Sequence, residues 1–304
     1  MAVSQSRASR TSRIIHVRAF AKLNLSLRVV GVRPDGYHEL RTVFQSIALH
    51  DTLTFRTVAG EFRIRCADPV CPTDATNLVW RAAECLWAAA GRRGAMPGVS
   101  VRIVKRIPVQ AGLGGGSSDA AAALRALAAL WRVRLTRDGL GRLAAELGAD
   151  VPFFLHGGTV LGIERGDVLI PQHDVPPAWV VVVVPTFGVS TADAYKWFDH
   201  RRGGGPALAN DLEQPVSAHH PEIARLVQDL RDDATQAGMS GSGSAVFGLF
   251  ARRATASQAA RRLSGAGRLV VLTRTVDRAT YARLARPESG AARPRGLRRR
   301  QPIG

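Results

Sequence analysis

The sequence predicts an α+β protein of two domains, built from mixed or antiparallel sheets and packed helices. Three observations lead there. Strand-like and helix-like runs are mixed without the regular alternation of a doubly wound sheet. The all-apolar, β-branched run Trp179–Val184 has the composition of a buried central strand. A chain of 304 residues is long enough for two cores. A boundary is expected near residues 158–166, separating a first domain over 14–164 from a second over 165–288. Residues 1–13 read as a flexible extension and 289–304 as a basic flexible tail.

Residues 17–29 alternate with period two. Val17, Ala19, Ala21, Leu23, Leu25, Leu27 and Val29 fall on one face. Arg18, Lys22, Asn24, Ser26 and Arg28 fall on the other, interrupted by Phe20. That pattern is a half-buried strand, ended by the turn-like Arg33-Pro34-Asp35-Gly36. Strands are expected next over 43–49, 52–58 and 62–66, then a helix over 78–90 with Asn77 as its N-cap. A strand over 99–107 leads into a glycine-rich loop. Helices follow over 119–131 and Arg137–Leu147, the second closed by Gly148. After the short apolar segment 151–155, Gly157-Gly158 marks a turn into another strand. Pro185 stops the central strand, and 201–206 reads as a loop. The runs 222–232, 245–250, 254–263 and 269–273 read as helix, strand, helix and strand.

Composition narrows the function. The longest apolar stretch, 178–184, is far too short to cross a bilayer. Cys66, Cys71 and Cys85 are odd in number and lack Cys-x-x-Cys spacing, so they read as reduced thiols of a cytoplasmic protein. The net charge is +18, but three arginines lie in residues 1–13 and five lie beyond residue 290. The body therefore carries about +10, which suits a polyanionic small molecule as well as a nucleic acid. Nucleic-acid binding is not expected as the main function.

The sharpest signal is Pro108-Val109-Gln110-Ala111-Gly112-Leu113-Gly114-Gly115-Gly116-Ser117-Ser118-Asp119. Four glycines in five residues leave no Cβ to hold a ligand away. The loop follows a strand and opens into an Ala-rich helix, so free amides and the helix dipole converge on one point suited to phosphate. Ser117 and Ser118 can cap that helix or donate hydroxyls to phosphate and magnesium, with Ser117 the candidate ligand for Mg2+. No Gly-Lys-Ser/Thr follows, which excludes a Walker A loop, and the glycine spacing does not fit a dinucleotide fingerprint.

This loop resembles the second motif of the GHMP kinases, which wraps the triphosphate of ATP. Met239-Ser240-Gly241-Ser242-Gly243-Ser244, placed before a strand, is similar to their glycine-rich third motif. The resemblance implies the two-domain fold of that superfamily, with ATP and Mg2+ as cofactors. Ala21-Lys22-Leu23-Asn24-Leu25 and Asp35-Gly36-Tyr37-His38-Glu39-Leu40 are similar to the branch that phosphorylates the 2-hydroxyl of 4-diphosphocytidyl-2-C-methyl-D-erythritol, in the non-mevalonate route to isoprenoids. The expected partner is then that cytidine diphosphate conjugate, taken by a monomer or weak homodimer.

Carried over residue by residue, the resemblance makes Lys22 catalytic and puts Asn24 in the substrate site. It has Tyr37 and His38 meet the cytidine, one by stacking and one by hydrogen bonding, and Tyr195 close the other side of the base. Ser240 and Gly241 join the substrate site; Asn77 and Lys105 line the nucleotide site. Asp150, with Pro152 two residues on, reads by itself as the N-cap of a short helix. Gly148-Ala149-Asp150-Val151-Pro152 also matches the segment whose Asp is the family's catalytic base, and both roles are assigned to it. Asn210-Asp211-Leu212-Glu213 matches the family without a chemical role. Ile163-Glu164-Arg165 departs from it, standing where relatives usually carry a smaller, glycine-containing turn.

Overall fold

The computed structural model describes residues 12–200, 209–265 and 267–290. Most of the expected extension over 1–13, most of the tail over 289–304, and the loop 201–206 lie outside the described residues. The chain opens with two long strands, β1 (Ile14–Val32) and β2 (His38–Thr57), followed by β3 (Arg63–Cys66), α1 (Leu78–Ala89) and β4 (Val99–Val104). Then come α2 (Gly115–Trp131), α3 (Arg137–Leu147), the short α4 (Phe153–His156) and the hairpin β5 (Thr159–Glu164) and β6 (Val168–Pro171). The second half runs β7 (Trp179–Val184), α5 (Thr191–Asp199), α6 (Glu213–His219), α7 (Pro221–Arg231), β8 (Gln236–Met239) and β9 (Val246–Phe250). It ends with α8 (Arg253–Leu263), β10 (Leu269–Arg274), α9 (Arg278–Leu284) and β11 (Glu288–Gly290). Among the described residues no helix is long and apolar enough to cross a membrane.

The strands form two sheets. The larger has the order β11-β1-β2-β4-β3, with β5 also paired to β2 and β6 to β5; only β3 and β4 run parallel. The smaller has the order β10-β7-β9-β8 and is antiparallel throughout. The mixed and antiparallel sheets expected from sequence are both present. The expected boundary between 164 and 165 falls inside the β5–β6 hairpin, whose two strands belong to one sheet. The division between sheets instead follows Pro171, and β11 returns to pair with Ile14–His16 of the larger one. The tail expected from residue 289 therefore begins inside a strand.

Two sequence expectations change here for a physical reason. β2 is one strand rather than two, because a register shift against β1 near Phe20 absorbs the break at Leu49-His50-Asp51. β1 is not half-buried along its middle: residues 19–25 are buried on both faces. One face packs among Ala111, Leu113, Val180, Val182 and Phe247, a core shared by the two sheets. On the other lie Lys22 and Asn24, beneath glycine loops rather than solvent. Phe20, which broke the alternation, packs against the rings of His50 and Tyr281.

The C-terminal segment is fastened by Tyr281. Its hydroxyl donates to the Phe154 carbonyl at 2.7 Å, and its ring lies on Gly157, whose φ of 68° and lack of Cβ let it approach. Tyr281→Phe should cost about 1 kcal/mol by orphaning that carbonyl. Tyr281→Ala should cost about 3–5 kcal/mol by opening a cavity. Urea unfolding of both variants checks the ranking, and equal losses would contradict it.

Candidate active site

The glycine loop between β4 and α2 alternates in function as well as in residue type. Ala111 and Leu113 are buried in the core between the sheets, which turns Gly112 and Gly114 the other way. Gly112 and Gly114 both have left-handed φ, of 74° and 70°. A Cβ on Gly112 would run into the Ser240 carbonyl, and one on Gly114 would lie 2.7 Å from the Phe154 ring and 3.2 Å from Lys22 Cγ. No other residue fits either position.

α2 starts at Gly115, four residues earlier than expected, with Gly114 as its N-cap and no side-chain cap. Neither Ser117 nor Ser118 caps it. The first-turn amides of this 17-residue helix are therefore left for an anion. The loop is pinned to β1 by the Lys22 amide donating to Leu113 O at 3.1 Å, and to the 239–244 loop by the Ala245 amide donating to Ala111 O at 3.2 Å.

The 239–244 loop crosses over β1 from the smaller sheet. The Ser240 hydroxyl donates to Gly112 O at 3.0 Å and accepts from the Asn24 amide at 3.2 Å. Asn210 holds the same loop from below, its amide donating at 2.8 Å to the carbonyls of both Met239 and Gly241. Glu213 accepts from the Met239 amide at 2.9 Å. These contacts give the Asn210-Asp211-Leu212-Glu213 segment a structural task that its sequence did not disclose.

Lys22 sits where the two loops meet, 3% exposed. Its ammonium donates to Asn24 Oδ1 at 2.5 Å, lies 3.6 Å from Asp150 Oδ2, and is 5.7 Å from the Phe44 ring centroid. Asn24 is fixed in turn: its amide donates to Thr42 Oγ1 at 2.7 Å, and that hydroxyl donates to Ser26 O at 2.8 Å. Gly241, with φ of 58°, leaves room above them, since a Cβ there would come within 3.2 Å of both Lys22 Nζ and Asn24 Oδ1. Asp150 is about one-third exposed and caps nothing: α4 takes Pro152 as its N-cap, without a side-chain bond. The expected cap role is thus corrected, because the chain between Asp150 and α4 is itself a turn.

These residues line one cleft of about 1470 Å³, larger than the usual 300–1,000 Å³ of a single small-molecule site and roomy enough for two ligands. Residues 108–117, Asn77 and Lys105 line it, together with Tyr37, His38 and Tyr195, and with Lys22, Asn24, Asp150 and Gly241. Ser118 and Ser240 are fully buried and off the wall. Asn77 caps α1 by accepting from the Val79 amide at 2.9 Å, and its own amide donates to Pro72 O, so its polar atoms are already engaged. Tyr195 stacks on His38, with ring centroids 4.6 Å apart, and His38 Nε2 lies 2.9 Å from Asp199 Oδ1. Burial, with the charge of Asp150 adding, holds the Tyr195 hydroxyl above its usual range, so it remains a donor. Burial beside Cys66 likewise pushes the Cys71 thiol up to about 12, which rules out a thiolate on the cleft wall.

The comparisons agree with this architecture. Residues 77–158 match the GHMP kinases N terminal domain, and residues 201–269 match the GHMP kinases C terminal family. The 4-diphosphocytidyl-2-C-methyl-D-erythritol kinase of Pelotomaculum thermopropionicum is 43% identical over 286 residues, covering 87% of this chain and 99% of that one. The chain belongs to this kinase family. Another member, from Anaeromyxobacter dehalogenans, is 45% identical over 285 residues, covering 85% of this chain and 90% of its own. A crystal structure of 4-(cytidine 5'-diphospho)-2C-methyl-D-erythritol kinase superposes with a TM-score of 0.71 at 36% identity, covering 86% of this chain and 99% of that one. The Methanococcus jannaschii mevalonate kinase shares the fold at 13% identity, with a TM-score of 0.68 and coverage of 86% and 98%. Membership makes this chain an ATP-using kinase.

In this kinase Lys105 is not a free cation, although the sequence assigned it to the nucleotide. Its ammonium donates to Asp51 at 2.5 Å and to Asp119 at 2.9 Å. Asp51 Oδ1 also accepts from the amides of Arg106 and Ile107. Asp51 pairs 54 residues away, and no local signal in the sequence announces it; Asp119 was visible as the end of the glycine motif but had no role. Burial works against the Lys105 charge, yet Asp119 and Asp51 outweigh it and hold the ammonium above its usual range. Burial pushes Asp119 up to about 7; Lys105 opposes the shift and the charge of Asp51 adds to it. With one ammonium between two carboxylates, Asp119 is the one that yields, since Asp51 has two further N–H donors.

A carboxyl with a folded pKa above its unfolded value favours folding below the unfolded pKa, and loses that contribution as pH rises through the folded one. For Asp119 the window runs from its ordinary 3.8 to about 7. Asp119→Asn should therefore gain stability relative to wild type across that window, read as the difference in urea midpoints. A pH-independent difference would put the ionisation elsewhere.

Proposed function

We propose that this kinase transfers the γ-phosphoryl group of ATP to the 2-hydroxyl of 4-diphosphocytidyl-2-C-methyl-D-erythritol, within the non-mevalonate route to isoprenoid precursors. The carrying observation is the Lys22–Asp150 pair, 3.6 Å apart, in the cleft lined by the two glycine loops and by Tyr37, His38 and Tyr195. The triphosphate takes the amides at the start of α2, where no side-chain cap competes for them. The acceptor takes the aromatic lining, where a flat ring suits a base and an imidazole offers hydrogen bonds.

Asp150 accepts the proton of the 2-hydroxyl as its oxygen attacks the γ-phosphorus; the bond to the β-phosphate bridging oxygen breaks, and ADP leaves. Lys22, fixed by Asn24 and through it by Thr42, keeps a positive charge beside the reacting oxygen. Ser117 on the cleft wall and Asp119, whose Oδ1 has no hydrogen-bond partner, are oxygen donors of the kind a hard cation takes. They fit magnesium carried by the nucleotide, which shields phosphate charge when bound. The three free thiols, Cys66, Cys71 and Cys85, favour a reducing cytoplasmic setting.

Coupled ADP release with ATP, magnesium and the cytidine conjugate, beside mevalonate and homoserine, tests the assignment. Release with the cytidine compound alone supports it; release only with a control alcohol overturns the substrate. Asp150→Ala should lower kcat about 10²- to 10⁴-fold while the KM for ATP stays within about threefold. Lys22→Met should lose turnover comparably and cost about 1–3 kcal/mol of stability, because it leaves the buried Asn24 Oδ1 without its donor while the partly exposed Asp150 regains water. Near-wild-type turnover in either variant would refute its role.

A further inference from the structure

Arg165 lies on the turn between β5 and β6. Its guanidinium lies 5.4 Å from the centroid of the Tyr37 ring. Tyr37 is 59% exposed, on the β1–β2 turn, and lines the cleft. Nε and Nη2 of Arg165 both donate to Asp167 Oδ2, at 3.1 and 2.5 Å, which fixes the plane of the guanidinium. A second arginine ties the same two turns together. Arg33 donates to Asp35 at 3.3 Å and Glu39 at 3.0 Å on its own turn, and to Glu164 at 3.1 Å on the other. Glu164 holds a left-handed φ of 59°, a conformation that ordinarily asks for glycine.

We propose that Arg165 is a positioning residue for the acceptor: it occupies one face of the Tyr37 ring and holds the ring as a fixed platform for the base. An aromatic side chain on an exposed turn would otherwise sample several rotamers and lose that freedom only when ligand arrives. A guanidinium over one face restrains the ring and leaves the opposite face for a flat partner. The other two cations on the cleft wall are committed elsewhere, Lys22 to Asn24 and Asp150, Lys105 to Asp51 and Asp119. Arg165 therefore acts on acceptor binding, not on the nucleotide or the chemical step. The inference rests on the proposed acceptor carrying a pyrimidine base.

The test uses Arg165→Gln, Arg165→Lys, Tyr37→Ala and the double variant Tyr37→Ala/Arg165→Gln, with cytidine 5'-diphosphate as a calorimetric probe and steady-state kinetics alongside. Arg165→Gln should raise the acceptor KM and the Kd of the probe about three- to tenfold, the range of an ordinary cation–π contact. The KM for ATP and kcat should stay within about twofold. Arg165→Lys should recover part of the loss, and in the Tyr37→Ala background Arg165→Gln should have no further effect. An unchanged probe Kd in Arg165→Gln, or the same loss with and without Tyr37, would overturn the inference while leaving the proposed function standing. A wild-type protein that does not bind the probe would overturn the proposed function, and this inference with it.

Discussion

One buried ammonium organises the site. Lys22 lies in the middle of the longest strand pairing, almost out of water, where an unpaired charge would be costly. Its position requires a bonded acceptor, which Asn24 supplies, and Asn24 in turn requires Thr42 on the neighbouring strand. It requires backbone without side chains nearby, which Gly114 and Gly241 supply from loops that follow strands of two different sheets. And it requires a counter-charge, which Asp150 provides from the turn before α4. The two loops could not both close over a strand carrying solvent-directed polar residues. Their approach converts the polar edge of β1 into the floor of a cleft.

The fold supplies the rigidity for this. Both glycine loops are anchored by apolar residues in the core between the sheets, through Ala111 and Leu113 in one and Ala245 in the other. Direct backbone bonds then join each loop to the next element, so that loop, strand and loop form one hydrogen-bonded layer. The lining at Tyr37, His38 and Tyr195 is built differently. It depends on two hairpin turns held by charged side chains and on α5, which brings Tyr195 onto His38. The glycine-loop lining is made of backbone and the aromatic lining of side chains, which suits the nucleotide and the alcohol proposed for them.

Much of this was legible in the sequence, and what was not has identifiable causes. Trp179–Val184 read as a central strand because a strand covered on both sides needs no polar face, and β7 is flanked by β9 and β10. Asn77 read as a cap because its short amide can reach the Val79 amide, as it does. The start of α2 was misplaced because three glycines argue against helix and two serines argue for a cap, whereas here the helix starts at Gly115 with no side-chain cap. Lys22 and Asn24 stood out as polar residues of one strand face, but their burial was hidden: alternation records one strand, not the loops that fold over it. Asp51 and Thr42 escaped notice because their partners are distant in sequence. Arg165 was noticed only as a departure, since the ring it meets belongs to another hairpin.

The central claim is that Lys22 and Asp150 work as one unit rather than as two independent contributors. A double-mutant cycle on kcat/KM, with Lys22→Met, Asp150→Asn and the combined variant, tests this most directly. The account predicts that the combined variant is no slower than the slower single variant, because either change alone already dismantles the pair. A combined loss equal to the product of the two single losses would contradict it.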